Sequence, residues 1–208
     1  MSKGKFDIYT VLDHLKEKRR YFSSEADFQL ALAMQIEREY GDNSVICEYV
    51  PEYDSEVEGK KSRIHIDILF CSENIPIELK YRTKKADLYE ENNYKVSLTN
   101  QGAHDEGSYG FWRDVCRVGE YKQNVKAPKG YVIFLTNDGW YKNPDYSKCE
   151  VDYTQFNLND EYKKERSGIV SKKSLNLVNI PKIDIPKIEA DWFEWDKEKG
   201  FNYFVAEV

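Results

Sequence analysis

Arg63-Ile64-His65-Ile66-Asp67-Ile68-Leu69-Phe70 and Ile75-Pro76-Ile77-Glu78-Leu79-Lys80-Tyr81 are the two segments on which the reading of this chain turns. Both alternate with period two, the pattern of half-buried strands. Ile64, Ile66 and Ile68 should share one face of the first, and Ile75, Ile77, Leu79 and Tyr81 one face of the second. Only Cys71-Ser72-Glu73-Asn74 separates them, which suits a four-residue hairpin loop. Pairing Phe70 with Ile75 sets Ile68 against Ile77, Ile66 against Leu79 and Ile64 against Tyr81. On the opposite face the same register places Asp67 across from Glu78 and His65 across from Lys80.

Two carboxylates directly opposite each other would stand with Cβ atoms about 4.5–5.5 Å apart, a destabilising arrangement for like charges. A divalent cation between them turns repulsion into coordination. Mg²⁺ takes one or two carboxylates and fills its shell with water and phosphate oxygens. Lys80 points to the same side as Glu78, where it can hold a phosphate or lower the pKa of an attacking water. Two acids and a lysine around a metal are the parts required for metal-assisted phosphodiester hydrolysis. The competing expectation is a solvated sheet face, with Asp67 and Glu78 paired to Arg63, Lys80 or Arg82.

Asp67, ten intervening residues and Glu78-Leu79-Lys80 resemble the PD-(D/E)xK nuclease superfamily, the restriction-endonuclease-like fold. The resemblance covers roughly Ser24 to Asp138. Ile66 stands where that family often has proline, and a bare D…ExK pattern is matched by many chains by chance. The resemblance implies Asp67, Glu78 and Lys80 as catalytic residues. It implies a Mg²⁺ site, with Mn²⁺ as substitute, built from Asp67, Glu78, the Leu79 carbonyl and Glu25. Glu25 enters because many members place a Glu on the helix before the sheet; an acid in a first helical turn is equally explained by the helix dipole.

Composition sets the outer bounds. The 208 residues are 40% hydrophobic and 33% charged, enough for one large folded domain or a core with an appendage. No apolar run approaches the roughly 20 residues of a membrane helix, and Met-Ser-Lys-Gly-Lys-Phe-Asp lacks the apolar stretch of a signal peptide. A cytoplasmic protein is expected. Cys47, Cys71, Cys116 and Cys149 are widely spaced and read as reduced thiols. The net charge of −6 is awkward for a protein that binds phosphates, but distribution matters more than total. Lys80-Tyr81-Arg82-Thr83-Lys84-Lys85 is a local basic run beside the acidic pair. Arg82 and Lys84, with Gln101 and Arg117, are candidate nucleic-acid contacts, DNA favoured over RNA. For Arg117 the alternative is an intrahelical network with Arg113 and Glu120.

Around this unit, helical spacing predicts an amphipathic helix over Asp7–Arg20 and a second after an N-cap at Ser24, ending at Gly41. Ser44–Val50 reads as a strand and Tyr109–Asn124 as a helix. Leu88, Tyr89, Tyr94 and Val96 suggest a short helix or strand fragment. The apolar run Tyr131–Thr136 reads as a strand buried on both faces. Trp192–Trp195 and Phe201–Val205 look like two closing strands around Gly200, their aromatics serving the core.

The expected fold is α/β: a restriction-endonuclease-like core with a mixed sheet flanked by helices and a C-terminal β-rich extension. Residues 1–139 would form the core with its N-terminal helices, and 140–208 an extension packed on it. The expected function is metal-dependent cleavage of nucleic acid, and cutting both strands would favour a homodimer. The alternatives are a non-catalytic binding module on the same fold, and an adaptor whose acidic surface meets a basic protein.

Overall fold

The computed structural model describes residues 5–52, 55–57, 60–90, 93–149, 153–158, 165–168, 180–184 and 188–208. Asp7 caps α1 (Ile8–Lys18) by accepting the Tyr9 N–H, and Ser24 caps α2 (Glu25–Tyr40) by accepting the Asp27 N–H. Gly41, at φ 96°, ends α2 in a conformation that side chains resist. The strands follow as β1 (Val45–Tyr49), β2 (Ser55–Val57), β3 (Lys60–Ser62), β4 (Ile66–Phe70), β5 (Ile75–Arg82), β6 (Ala86–Tyr89) and β7 (Lys95–Leu98). Then come α3 (His104–Val125), β8 (Tyr131–Thr136), β9 (Glu165–Gly168), β10 (Ile180–Asp184), β11 (Glu189–Asp196) and β12 (Phe201–Glu207).

Six strands form one mixed sheet in the order β1-β4-β5-β8-β12-β11. β1, β4 and β5 are antiparallel, β5 runs parallel to β8 through the α3 crossover, and β12 and β11 continue antiparallel beyond β8. A parallel pair needs such a crossover. The closing strands therefore join the sheet as its far edge. β2–β3, β6–β7 and β9–β10 are separate two-stranded ribbons. The segment read as helix or strand fragment is the β6–β7 hairpin, with Leu88, Val96 and Leu98 buried.

β8 is buried on both faces and shows how the layers divide. Tyr131, Ile133 and Leu135 join Ile68, Ile75, Ile77, Leu79 and Tyr81 in the core beneath α1 and α2. Val132 and Phe134 face the other way, against Phe111, Trp112, Val115 and Val118 of α3. Trp195, Phe201, Tyr203 and Phe204 are buried, so these C-terminal aromatics pack the core.

Two expectations need correction. α3 starts at His104, five residues before the expected Tyr109, and runs through Gly107 and Gly110. Gly107 is needed for contact rather than for a turn: a Cβ there would lie 2.3 Å from the Tyr141 hydroxyl. Second, Ile64 and Ile66 do not share a face with Ile68. They pack with Leu69 and Tyr121 in a third cluster, while Ile68 lies beneath α1 and α2. The alternation breaks at Asp67.

The four cysteines are free. Among the described residues no helix is long and apolar enough to cross a membrane.

Candidate active site

The break at Asp67 makes the site. The β4–β5 ladder pairs Phe70 with Ile75, Leu69 with Pro76 and Ile68 with Ile77, as the hairpin loop dictates, and ends there. Asp67 is thus not a ladder partner of Glu78, nor His65 of Lys80. β5 continues alone on that side, and its next N–H groups need acceptors. Leu79 N–H donates to Asp67 Oδ2 at 2.7 Å, and Tyr81 N–H donates to Glu25 Oε2 at 2.8 Å. Two carboxylates therefore take the place of a strand and line a notch at the edge of β5. Gln29 of α2 fixes the other wall, donating to the Asp67 carbonyl at 2.6 Å and to Glu48 Oε1 at 2.8 Å. Ser24 sets this up by starting α2 where Glu25 occupies its first turn.

Glu78 and Lys80 lie on the alternate face of β5, beneath α3. Glu78 and Asp114 are buried. Lys80 Nζ stands 2.6 Å from Asp114 Oδ2 and donates to the Leu79 carbonyl at 3.3 Å. Arg117 Nη2 contacts Glu78 Oε2 at 3.0 Å and also pairs with Asp114. One nitrogen thus serves both acids, and among the described residues Arg117 Nε is buried without a partner. Glu78 Oε1 is likewise buried and has no partner among the described residues. A buried charged oxygen with no hydrogen bond is costly.

Burial raises the Asp67 carboxyl to about 6, against the opposing pull of the Leu79 N–H. Burial, then the nearby Asp114 carboxylate, pushes Glu78 well above the ordinary carboxyl range, although Arg117 opposes this. Burial alone would lower Lys80; Asp114 and then Glu25 outweigh it and hold the ammonium above its ordinary value. Lys80 is therefore a fixed cation, suited to orienting a phosphate or water and not to accepting a proton.

Counted with every group ionised, Glu25, Asp67, Glu78 and Asp114 against Lys80 and Arg117 leave a formal charge of −2 in one electrostatic neighbourhood, an excess that the raised Asp67 and Glu78 carboxyls relieve by holding protons. A divalent cation would balance it. Among the described residues no three His, Cys, Asp or Glu side chains converge as a finished metal cage. Mg²⁺ does not require one, since one or two carboxylates and solvent suffice. Asp67, Glu78 Oε1 and the Leu79 carbonyl fit that donor set.

An open cleft of about 420 Å³ adjoins the notch, lined by Glu25, Lys80, Arg82, Gln101, Glu106 and Arg113, among others. Gln101 is held at its rim by a backbone hydrogen bond to the Thr83 carbonyl (2.8 Å) and by accepting the Thr83 N–H (3.1 Å). Arg82 and Gln101 are thus brought to the site. Lys84 turns away into an ion pair with Asp138 at 2.8 Å. Arg117 lies beneath the cleft, its charge taken up by Glu78 and Asp114, so it is not placed to meet a phosphate. The reading from sequence missed Asp114 and Gln29. Asp114 carried a signal, since it stands three residues before Arg117, the spacing of an intrahelical ion pair. Gln29 carried none, because its partner is a backbone carbonyl exposed by the broken ladder. Comparison with protein-family models, with curated proteins and with solved structures finds no match to this chain.

Proposed function

We propose that this chain is a metal-dependent nuclease that hydrolyses nucleic-acid phosphodiester bonds, DNA in preference to RNA, on a restriction-endonuclease-like core. The observation that carries the reading is Glu78 Oε1, buried and unpartnered among the described residues, in a group that couples electrostatically to Asp67 and carries two negative charges in excess when fully ionised, with Lys80 of the same group opening onto a cleft that bears Arg82 and Arg113. The order of elements supports it: a helix, three antiparallel strands, a crossover helix and a fourth strand parallel to the third.

Asp67 and Glu78, with the Leu79 carbonyl, would hold Mg²⁺ or Mn²⁺, and Glu25 stands beside them at the Tyr81 N–H. Bound there, the ion would polarise the phosphodiester and lower the pKa of an attacking water. Lys80, protonated, orients that water or a non-bridging phosphate oxygen and stabilises charge that develops on it. Arg82, Arg113 and Gln101 receive the flanking phosphates, as backbone recognition requires.

Incubating plasmid and single-stranded DNA with Mg²⁺ or Mn²⁺ tests this directly. The wild type should cut, and Asp67→Ala and Lys80→Ala should each lose about 10²–10³ or more in rate. Cutting that survives both substitutions sinks the assignment. A second reading has its own support: Lys80 and Arg117 already form ion pairs with Asp114 and with one oxygen of Glu78, as a purely structural network would. Salt-sensitive DNA binding without Mn²⁺ binding or cleavage would favour that non-catalytic module.

A further inference from the structure

Asp114 and Arg117 lie outside the two-acids-and-lysine set, yet they touch two of its members. Both project from one face of α3, three residues apart, over Glu78 and Lys80 of β5. Asp114 holds the Lys80 ammonium 2.6 Å from its own oxygen. Arg117 covers Glu78 Oε2 and leaves Oε1 bare. The guanidinium does this through Nη2 alone, shared with Asp114, while its Nε is idle. It therefore lacks the two-pronged geometry that makes arginine–carboxylate pairs strong.

We infer that Asp114 and Arg117 are a charge-setting pair that tunes cation binding at Asp67 and Glu78. They act as positioning residues and are not themselves ligands. The inference rests on the metal-site reading above. Arg117 is an internal counter-ion that competes with the metal for Glu78. Asp114 restrains both cations by drawing Lys80 toward α3 and taking up part of Arg117. Removing Arg117's charge leaves the group one unit more negative, and removing Asp114's charge leaves it one unit less negative. Removing both restores the original balance.

That arithmetic gives an ordering a merely structural role would not produce. Mn²⁺ affinity of the full chain is measured by electron paramagnetic resonance of the free ion, with thermal melts in chelator to verify folding. Relative to wild type, Arg117→Gln should bind Mn²⁺ about tenfold more tightly and Asp114→Asn about tenfold more weakly, the scale of one unit charge close to the ion. The double variant should return to within about threefold of wild type, since the two electrostatic effects cancel. Should Arg117→Gln alone fail to fold, the double variant against Asp114→Asn carries the test: adding Arg117→Gln must recover the lost affinity. Weaker binding in both single variants, with the double weakest, would overturn the inference while leaving the metal site standing. Absence of Mn²⁺ binding in the wild type would instead remove the metal site, and the inference with it.

Discussion

β5 builds two different environments from alternate residues of one strand. Ile77, Leu79 and Tyr81 face α1 and α2 and meet hydrocarbon and aromatic rings, with Tyr81 lying near Phe22 and Phe28. Glu78 and Lys80 face α3 and meet Asp114 and Arg117. Both sides are largely buried, but different energies govern them. The apolar face gains from every atom removed from water and is indifferent to its neighbours' charge. On the ionic face desolvation can exceed the attraction it makes possible, so the pairs there are weak evidence for stability. A strand that needed only to be stable would carry apolar residues on both sides, as β8 does. The polar side of β5 is thus the part of the sheet that packing does not explain.

Removing one residue from each face separates the two. Arg117→Ala strands Glu78 in a buried place, leaves Asp114 with Lys80 alone, and should destabilise the metal-free protein by about 3–5 kcal/mol. Leu79→Ala removes packing and leaves a cavity, at about 2–5 kcal/mol. Urea unfolding will put the two losses in the same range, but added Mn²⁺ distinguishes them. It should recover stability in Arg117→Ala, because a cation that binds only the folded state stabilises it. Leu79→Ala should regain no more than wild type gains. Equal recovery in both would mean that the ionic face has no particular affinity for the ion.

The apolar face was legible in the sequence and the ionic face only in part. Ile77, Leu79 and Tyr81 announce themselves by period two, and Tyr131–Thr136 by an unbroken apolar run, because burial acts on each residue separately. The notch is another matter. Its geometry depends on β4 leaving the ladder after Ile68, and regular alternation through Ile64, Ile66 and Ile68 gives no hint of the break. Glu78 and Lys80 could be picked out by their spacing. Asp114, the partner that positions Lys80, comes from a helix that the crossover alone brings near. Arg117 looked like a surface cation on a polar stripe because Glu78, which it meets besides Asp114, lies on another element. Contacts between distant segments are written in the fold, and local pattern reports them poorly.

pH gives a second contrast. Asp67 is raised from its ordinary 3.8 to about 6, so between those values the folded state holds a proton that the unfolded chain has released. Stability contributed by this group is present below about pH 4 and falls as pH rises through about 6. Glu78, also raised, acts in the same direction. Asp27, lowered with help from Ser23 and Arg19 despite its burial, acts oppositely: its contribution is lost as pH falls. Metal-free Asp67→Asn should therefore lose less stability than wild type between pH 4 and 7 in parallel urea titrations. A difference between the two proteins that does not change with pH would place Asp67 in water.

The smallest effect concerns the spacing between the ionic layers. α3 must lie close enough to β5 for Asp114 to reach Lys80, and two helical glycines face its neighbours. At Gly110 a Cβ would meet Lys80 Cε at 3.7 Å, an ordinary contact. At Gly107 it would collide with Tyr141. Glycine to alanine inside a helix normally gains up to about 1 kcal/mol, so Gly110→Ala should stabilise slightly. Gly107→Ala should instead cost about 1–3 kcal/mol through overpacking. Among the described residues the Tyr141 hydroxyl is buried without a partner, so Tyr141→Phe removes the nearest clashing atom without breaking a hydrogen bond, leaving ring carbons at 3.0 and 3.2 Å. In that background Gly107→Ala should lose part of its cost, as thermal melts of the single and double variants will register. Persistence of the full cost would mean that the helix is held off the sheet by something other than this ring. The Lys80–Asp114 distance would then owe nothing to Gly107.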